Sequence, residues 1–316
     1  MNLISKEKIM KKKLILLLLT ALALLLVAAC QNNDTTNGDD TTLVTHDREG
    51  NAVSLPDSIS TVISLGPSIS EVLVELGFGD MIIAMDMNSF DVAGVDAGLA
   101  VLDMFTPDAE QIIALEPDVI FVTQMGLHAD DGPLGLVADT GISVLYIPSS
   151  DSIAGIKEDI RFIAAVMGNV DGGAAIIAQM AEEIETVRAI GQGITEVRTV
   201  YFEVGTPPWL TSFGAGTFLH EMLEIIGAVN IVGDQHGWVP LSEEVVLDAN
   251  PDVILTNVVF VDDPIEDIVT RPGWDMLDAV QNGELFFIDA NASSRPNHNI
   301  VQALWEMARA IYPDAF

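Results

Sequence analysis

The chain has a single cysteine, Cys30. That excludes a disulfide framework and any cysteine-based zinc cluster. Basic residues are almost as scarce. The first 29 residues hold five Lys and one Glu; removing them from 13 Lys+Arg and 47 Asp+Glu leaves 8 basic and 46 acidic residues, a charge of −38. A body this acidic is repelled by phosphate backbones and anionic lipid, so nucleic acid is excluded as a partner. Catalytic signatures are lacking too: there is no G-x-S-x-G elbow, no G-x-x-x-x-G-K-[ST] and no H-E-x-x-H. Acidic pairs such as Asp130-Asp131 are too common here to mark a site, and an enzyme is not expected. Long apolar runs are limited to one, at the extreme N-terminus, so the positive mean hydropathy does not describe a multi-span membrane protein. What remains is 316 residues that are 49% hydrophobic, enough for two compact units with real cores.

The N-terminus reads as an address. Lys11-Lys12-Lys13 precedes an apolar stretch over 14–29, shorter than the ~20 residues a membrane span needs. A basic head, an apolar core and small residues before a cut site describe a secretory signal over residues 1–29. Val27-Ala28-Ala29-Cys30 resembles a lipobox, in which the cysteine is lipidated and becomes the mature N-terminus; a lipid on Cys30 is the one covalent group expected. Residues 30–42 are polar and read as a flexible tether. The expectation is an extracytoplasmic protein held to the cell membrane by lipid.

Strand and helix patterns then alternate, which implies mostly parallel sheets with helices packed on them. Residues 43–56 are hairpin-like around Gly50. Strands are predicted at Thr61–Leu65, Met81–Met85, Val119–Val122 and Val144–Ile147. Ser68 or Ser70 is predicted to cap a helix that Gly77 stops. Thr106-Pro107 reads as the N-cap and first turn of a helix ending near Leu115. From Ser152 to Arg188 the pattern is helical, interrupted at Gly168-Asn169 and Gly172-Gly173, with Ala174–Ile190 unbroken. Alternation resumes with a strand at Arg198–Val204. The second half echoes the first: TPDAEQIIALEPDVIFV (106–122) against SEEVVLDANPDVILT (242–256), and EVLVELG (71–77) against EMLEIIG (221–227). The reading is an α/β protein of two similar lobes, 43–150 and 194–316, joined by a helical linker over 151–193, with a cleft between them.

Five segments in this order resemble a known family: ISLGPSISEVLVELG (63–77), AEQIIALEPDVIFV (109–122), GTFLHEMLEIIGAVNI (216–231), WVPLSEEVVLDANPDVIL (238–255) and the closing RPGW run from 271. Together they are similar to the substrate-binding lipoproteins of ABC importers for siderophores, haem and cobalamin. The resemblance implies lobes bridged by one long rigid helix, slight closure, a monomer, and delivery of a bulky metal chelate to a permease driven by an ATPase. It implies that Glu110 and Glu244 dock the permease through its arginines. Carboxylates at helix starts are favoured by the dipole, and one per lobe fixes orientation. Glu71 and Glu221 are expected to lie on solvated helix faces.

The same resemblance assigns the cleft. Trp209 and Trp238 match positions where cobalamin-binding relatives place rings against ligand, and Arg295 matches a ligand-facing arginine. The Asn88–Phe90 and Met104–Phe105 loops complete the wall. Trp274 and Trp305 are expected in the core. Met104 and Asn88 depart from aromatics in the cobalamin binders. Scarcity of Lys, Arg and Tyr disfavours strongly anionic siderophores; a neutral hydroxamate complex or a corrinoid fits better. The expected ligand is therefore an iron-siderophore type of chelate, with a corrinoid as the alternative. Haem, or a free metal ion held by histidines such as His128, His236 and His298, ranks below both.

Overall fold

A computed structural model describes residues 44–124 and 132–316. The signal, the tether with Cys30, and His128 with Asp130-Asp131 lie outside the described residues. Residues from Leu43 onward form one compact unit that contains both sheets.

The first sheet is built from β1 (Val62–Leu65), β2 (Ile82–Asp86), β3 (Ala100–Leu102), β4 (Val119–Gln124) and β5 (Ser143–Pro148), in the order β3-β2-β1-β4-β5. Every pairing in it is parallel. A parallel sheet buries both faces, which is why these strands read as continuous apolar runs. Val62, Val119, Phe121 and Leu145 point to one core; Ile63, Ile120, Val122 and Tyr146 point to another. The helices of this lobe are α1 (Pro67–Glu75), α2 (Ala109–Ala114) and α3 (Pro133–Ala138).

The second sheet pairs β6 (Thr199–Glu203), β8 (Val229–Asn230), β10 (Val253–Thr256) and β11 (Leu285–Phe287), again all parallel, in the order β11-β10-β6-β8. Between β6 and β8 lies β7 (Thr211–Phe213), which pairs antiparallel with β9 (Trp238–Pro240) as a separate ribbon. Helices α6 (Phe218–Ile226), α7 (Glu243–Ala249), α8 (Pro264–Val269), α9 (Asp278–Asn282) and α10 (Ala290–Ser294) pack around it, and α11 (Ile300–Ile311) closes the chain.

Two helices connect the sheets: α4 (Ile153–Val166), capped by Ser152, and α5 (Val170–Gly191), capped by Asn169. At 1.5 Å per residue, the 22 residues of α5 span roughly 33 Å. Gly172-Gly173 does not interrupt it. A Cβ on Gly173 would stand 2.4 Å from that of Ala164, so the glycine is a site of close approach between α4 and α5 rather than a break. Val62 and Phe121 of the first sheet share a core with Phe202 and Leu255 of the second through these helices, so one apolar layer backs both lobes.

Two caps differ from expectation. Helix α1 starts at Gly66 with Pro67 in its first turn, and Ser70 is buried inside it, donating to Ser64 Oγ at 2.8 Å. Helix α2 is capped by Asp108, whose carboxylate accepts from the Glu110 and Gln111 amides. Thr106 is instead held by Asp103, through its amide at 3.1 Å and its hydroxyl at 2.9 Å.

Candidate ligand cleft and its rims

Open parallel sheets place ligands beyond the C-terminal ends of their strands. Here the ends of two sheets face one hollow of about 630 Å³. Ser68 follows β1, Asn88 follows β2, Phe105 follows β3 and Ser149 follows β5; Val204 follows β6, the Asn257–Phe260 segment follows β10, and Arg295 lies beyond β11. The lining comes from both lobes, so the hollow is an interlobe cleft.

The structure brings five of the seven expected wall residues to this cleft: Asn88, Met104, Phe105, Trp238 and Arg295. Met104 is buried and accepts a hydrogen bond at Sδ from Asn88 Nδ2 at 3.3 Å. Trp238 is 59% exposed, its other edge set against Phe213 with ring centroids 6.4 Å apart. That seat follows from register: Phe213 lies directly opposite Trp238 across the ribbon, where side chains share a face. Trp209 and Phe90 do not line the cleft. Trp209 precedes β7 by two residues, outside the ribbon pairing, and is 80% exposed. Val259 and Phe260, each 68% exposed, line the cleft in addition to the residues expected from sequence. Their signal is the apolar run Val258-Val259-Phe260 that resumes directly after Asn257, beyond the end of β10.

Arg295 lines the cleft with both terminal nitrogens already engaged. Nη1 donates to Glu71 at 2.5 Å, and Nη2 to Asp91 at 2.7 Å and the Asn88 carbonyl at 3.0 Å. Glu71 also accepts from Asn297 and Asn299, and Asp91 from Asn291. Glu71 is therefore no solvated face: its side chain is 12% exposed and ties α1 to the second lobe. Burial pulls the guanidinium down, but the carboxylates outweigh it and hold Arg295 above its ordinary value. Burial raises Asp91 while the Arg295 and Asn291 hydrogen bonds lower it, and the carboxyl ends below its usual range.

Glu110 and Glu244 are both exposed in the first turns of α2 and α7. Each of these helices leads into a parallel strand, β4 or β10, and packs antiparallel to it. Its start therefore lies at the strand ends that open on the cleft. The Ser242 hydroxyl, then its own backbone amide, hold the Glu244 carboxyl below its usual range. Glu221 differs from expectation as Glu71 does: its carboxylate accepts from the Ile153 amide at 3.1 Å, joining α6 to the start of α4.

Beneath the second rim lies a buried polar cluster. Arg271 makes a bidentate pair with Glu203 at 2.6 and 2.8 Å and reaches Asp267 at 2.5 Å. Its guanidinium lies 4.6 Å over the Trp274 ring, and Trp274 Nε1 donates to Glu243 at 3.0 Å, which fixes the start of α7 beside Glu244. Burial raises the Glu203 carboxyl despite the arginine. Trp274 is in the core as expected; Trp305 is half-buried, donating to Glu183 at 2.8 Å. Among the described residues no cluster of His, Cys, Asp or Glu is arranged to hold a metal ion, and no histidine lines the cleft.

Two parallel-sheet lobes, the connecting helices α4 and α5, and a cleft at the facing strand ends define a bilobal binding protein. The profile of the periplasmic binding protein family matches residues 62–292, and the chain belongs to that family, the substrate-binding proteins of ABC transporters. An uncharacterized ABC transporter substrate-binding lipoprotein of Bacillus subtilis is 27% identical over 272 residues, 85% of each chain. A cobalamin-binding protein of Halobacterium salinarum is 23% identical over 275 residues, 84% of this chain and 73% of its own. In fold, the molybdate-bound periplasmic binding protein of Haemophilus influenzae superposes with a TM-score of 0.73 at 22% identity, covering 85% of this chain and 91% of that one.

Proposed function

We propose that the chain captures a bulky metal chelate outside the cytoplasm and hands it to an ABC permease. The observation that carries this is the interlobe cleft of about 630 Å³, whose walls are mainly apolar with a few amides and hydroxyls. Such a lining suits a large ligand with an apolar body and polar edges, not a bare ion. Trp238, Phe105 and Phe260 supply ring surface, and Asn88 and Asn257 offer amides. An iron-siderophore chelate of low charge fits this lining. A corrinoid is the second reading, favoured by the cobalamin-binding relative. Glu110 and Glu244 are the docking contacts, one on each lobe, and Cys30 carries the lipid that holds a monomer at the cell membrane. The visible spectrum and mass of material copurifying from a producing cell test the ligand. Corrin or ferric-hydroxamate bands support the reading. If purified protein binds neither class of chelate at micromolar concentration, it fails.

A further inference from the structure

Among the described residues that line the cleft, Arg295 alone carries a formal charge. The response of this cleft to ligand charge therefore depends on what surrounds one guanidinium. Two carboxylates surround it. Glu71 and Asp91 stand at 2.5 and 2.7 Å from its two terminal nitrogens, and the Asn88 carbonyl takes a further donor. The trio sums to one negative charge. Asn297, Asn299 and Asn291 fix both carboxylates in place, so they do not simply swing away when a ligand arrives.

We propose that Glu71 and Asp91 are specificity-determining residues, which neutralise and position Arg295 so that the cleft rejects anionic chelates and accepts neutral or cationic ones. This rests on the capture reading above. An arginine at a ligand floor ordinarily recruits carboxylate or phenolate oxygens through its fork of donors. Here two of the chain's own carboxylates already hold both terminal nitrogens of that fork. An incoming anion must either displace them or sit against a net negative floor. Both options disfavour it in a cleft where charges are only partly screened.

The test uses one scaffold at three charges. A linear ferric tris-hydroxamate with a free terminal amine carries +1, its N-acetyl derivative 0 and its N-succinyl derivative −1. Cyanocobalamin and its monocarboxylate supply a corrinoid pair at 0 and −1. Binding is read by calorimetry at low ionic strength. The wild-type protein is expected to bind the −1 member of each series more weakly than the neutral one. Asp91→Asn is expected to tighten the −1 member by about fivefold relative to the neutral one, and the shift should shrink as salt is added. Glu71→Gln is expected to act in the same direction. Asp91 is the more exposed carboxylate, with its side chain 34% open, so its variant keeps the lobes' other bonds even if Glu71→Gln unfolds. A purely structural latch would shift every member of a series equally, and that result overturns the proposal. So does wild-type protein that binds −1 and neutral members alike. Failure of both scaffolds at every charge would overturn the capture reading itself, and this inference with it.

Discussion

Trp238→Ala separates the cleft wall from its surroundings. The residue is 59% exposed in the cleft. A tryptophan buries up to about 250 Å², so roughly 150 Å² stands open to a ligand. A flat chelate covers one face, about 75 Å². At ~25 cal/mol per Å² that contact is worth about 2 kcal/mol, or roughly thirtyfold in Kd. The cost to the fold is smaller. The ring's edge contact with Phe213 contributes about 0.5–1 kcal/mol, and most of the side chain was never buried. The variant is therefore expected to fold and bind weakly. Calorimetric titration with a neutral ferric tris-hydroxamate and with cyanocobalamin measures the loss, and circular dichroism checks the fold. Trp209→Ala is the matched control: the same residue type, 80% exposed but outside the cleft lining, is expected to leave Kd within about twofold. A Trp238→Ala protein that keeps wild-type affinity for the ligand it captures would refute the assignment of the wall.

Glu110→Ala combined with Glu244→Ala is expected to abolish uptake in cells while leaving chelate affinity within about twofold, because both carboxylates are exposed on the rims; parallel transport and titration measurements decide it. Glu203→Gln is expected to cost about 3 kcal/mol in urea unfolding, because it strips a fully buried partner from Arg271, whereas breaking the half-exposed Glu158–Arg161 pair should cost under about 0.5 kcal/mol. Gly191→Ala is expected to lower stability by about 2–3 kcal/mol, since its Cβ would stand 2.3 Å from the Ile225 carbonyl oxygen where α5 meets α6; an unchanged urea midpoint would count against that packing. Asp91 has a native value below its ordinary 3.8, so its contribution to stability is present above that pH and disappears as pH falls through the native value; thermal scans of wild type and Asp91→Asn should converge in strong acid.

Features that rest on local chemistry were legible in the sequence, and those that rest on long-range pairing were not. Apolar runs such as Val119–Val122 name a strand buried on both faces, because a parallel sheet between helix layers tolerates nothing else. Ser152 opens the helical stretch because a short polar side chain satisfies an orphan amide within three residues, and the interruption read at Gly168-Asn169 is the break between α4 and α5. Gly172-Gly173 misled for a reason of the opposite kind. Gly173 answers to Ala164 on a neighbouring helix, a contact that no propensity scale registers, while Gly172 sits against the capping side chain of Asn169. The site divides along the same line. Glu110 and Glu244 could be found from the internal repeat, since a helix start before a Pro-Asp strand is a local pattern. Glu71 could not. It occupies an exposed-looking place in an amphipathic helix, and its partner lies 224 positions away in sequence. Arg295 likewise suggests an open anion site when read alone, because its neighbours in sequence are polar and uncharged. Only the folded chain brings Glu71 and Asp91 to it. The consequence is functional as well as descriptive. A family resemblance can transfer the position of an arginine, but the charge that a ligand meets there is set by residues from the opposite lobe. Ligand preference among relatives with the same fold can therefore change by substitutions outside the cleft wall itself, wherever they alter what holds the guanidinium.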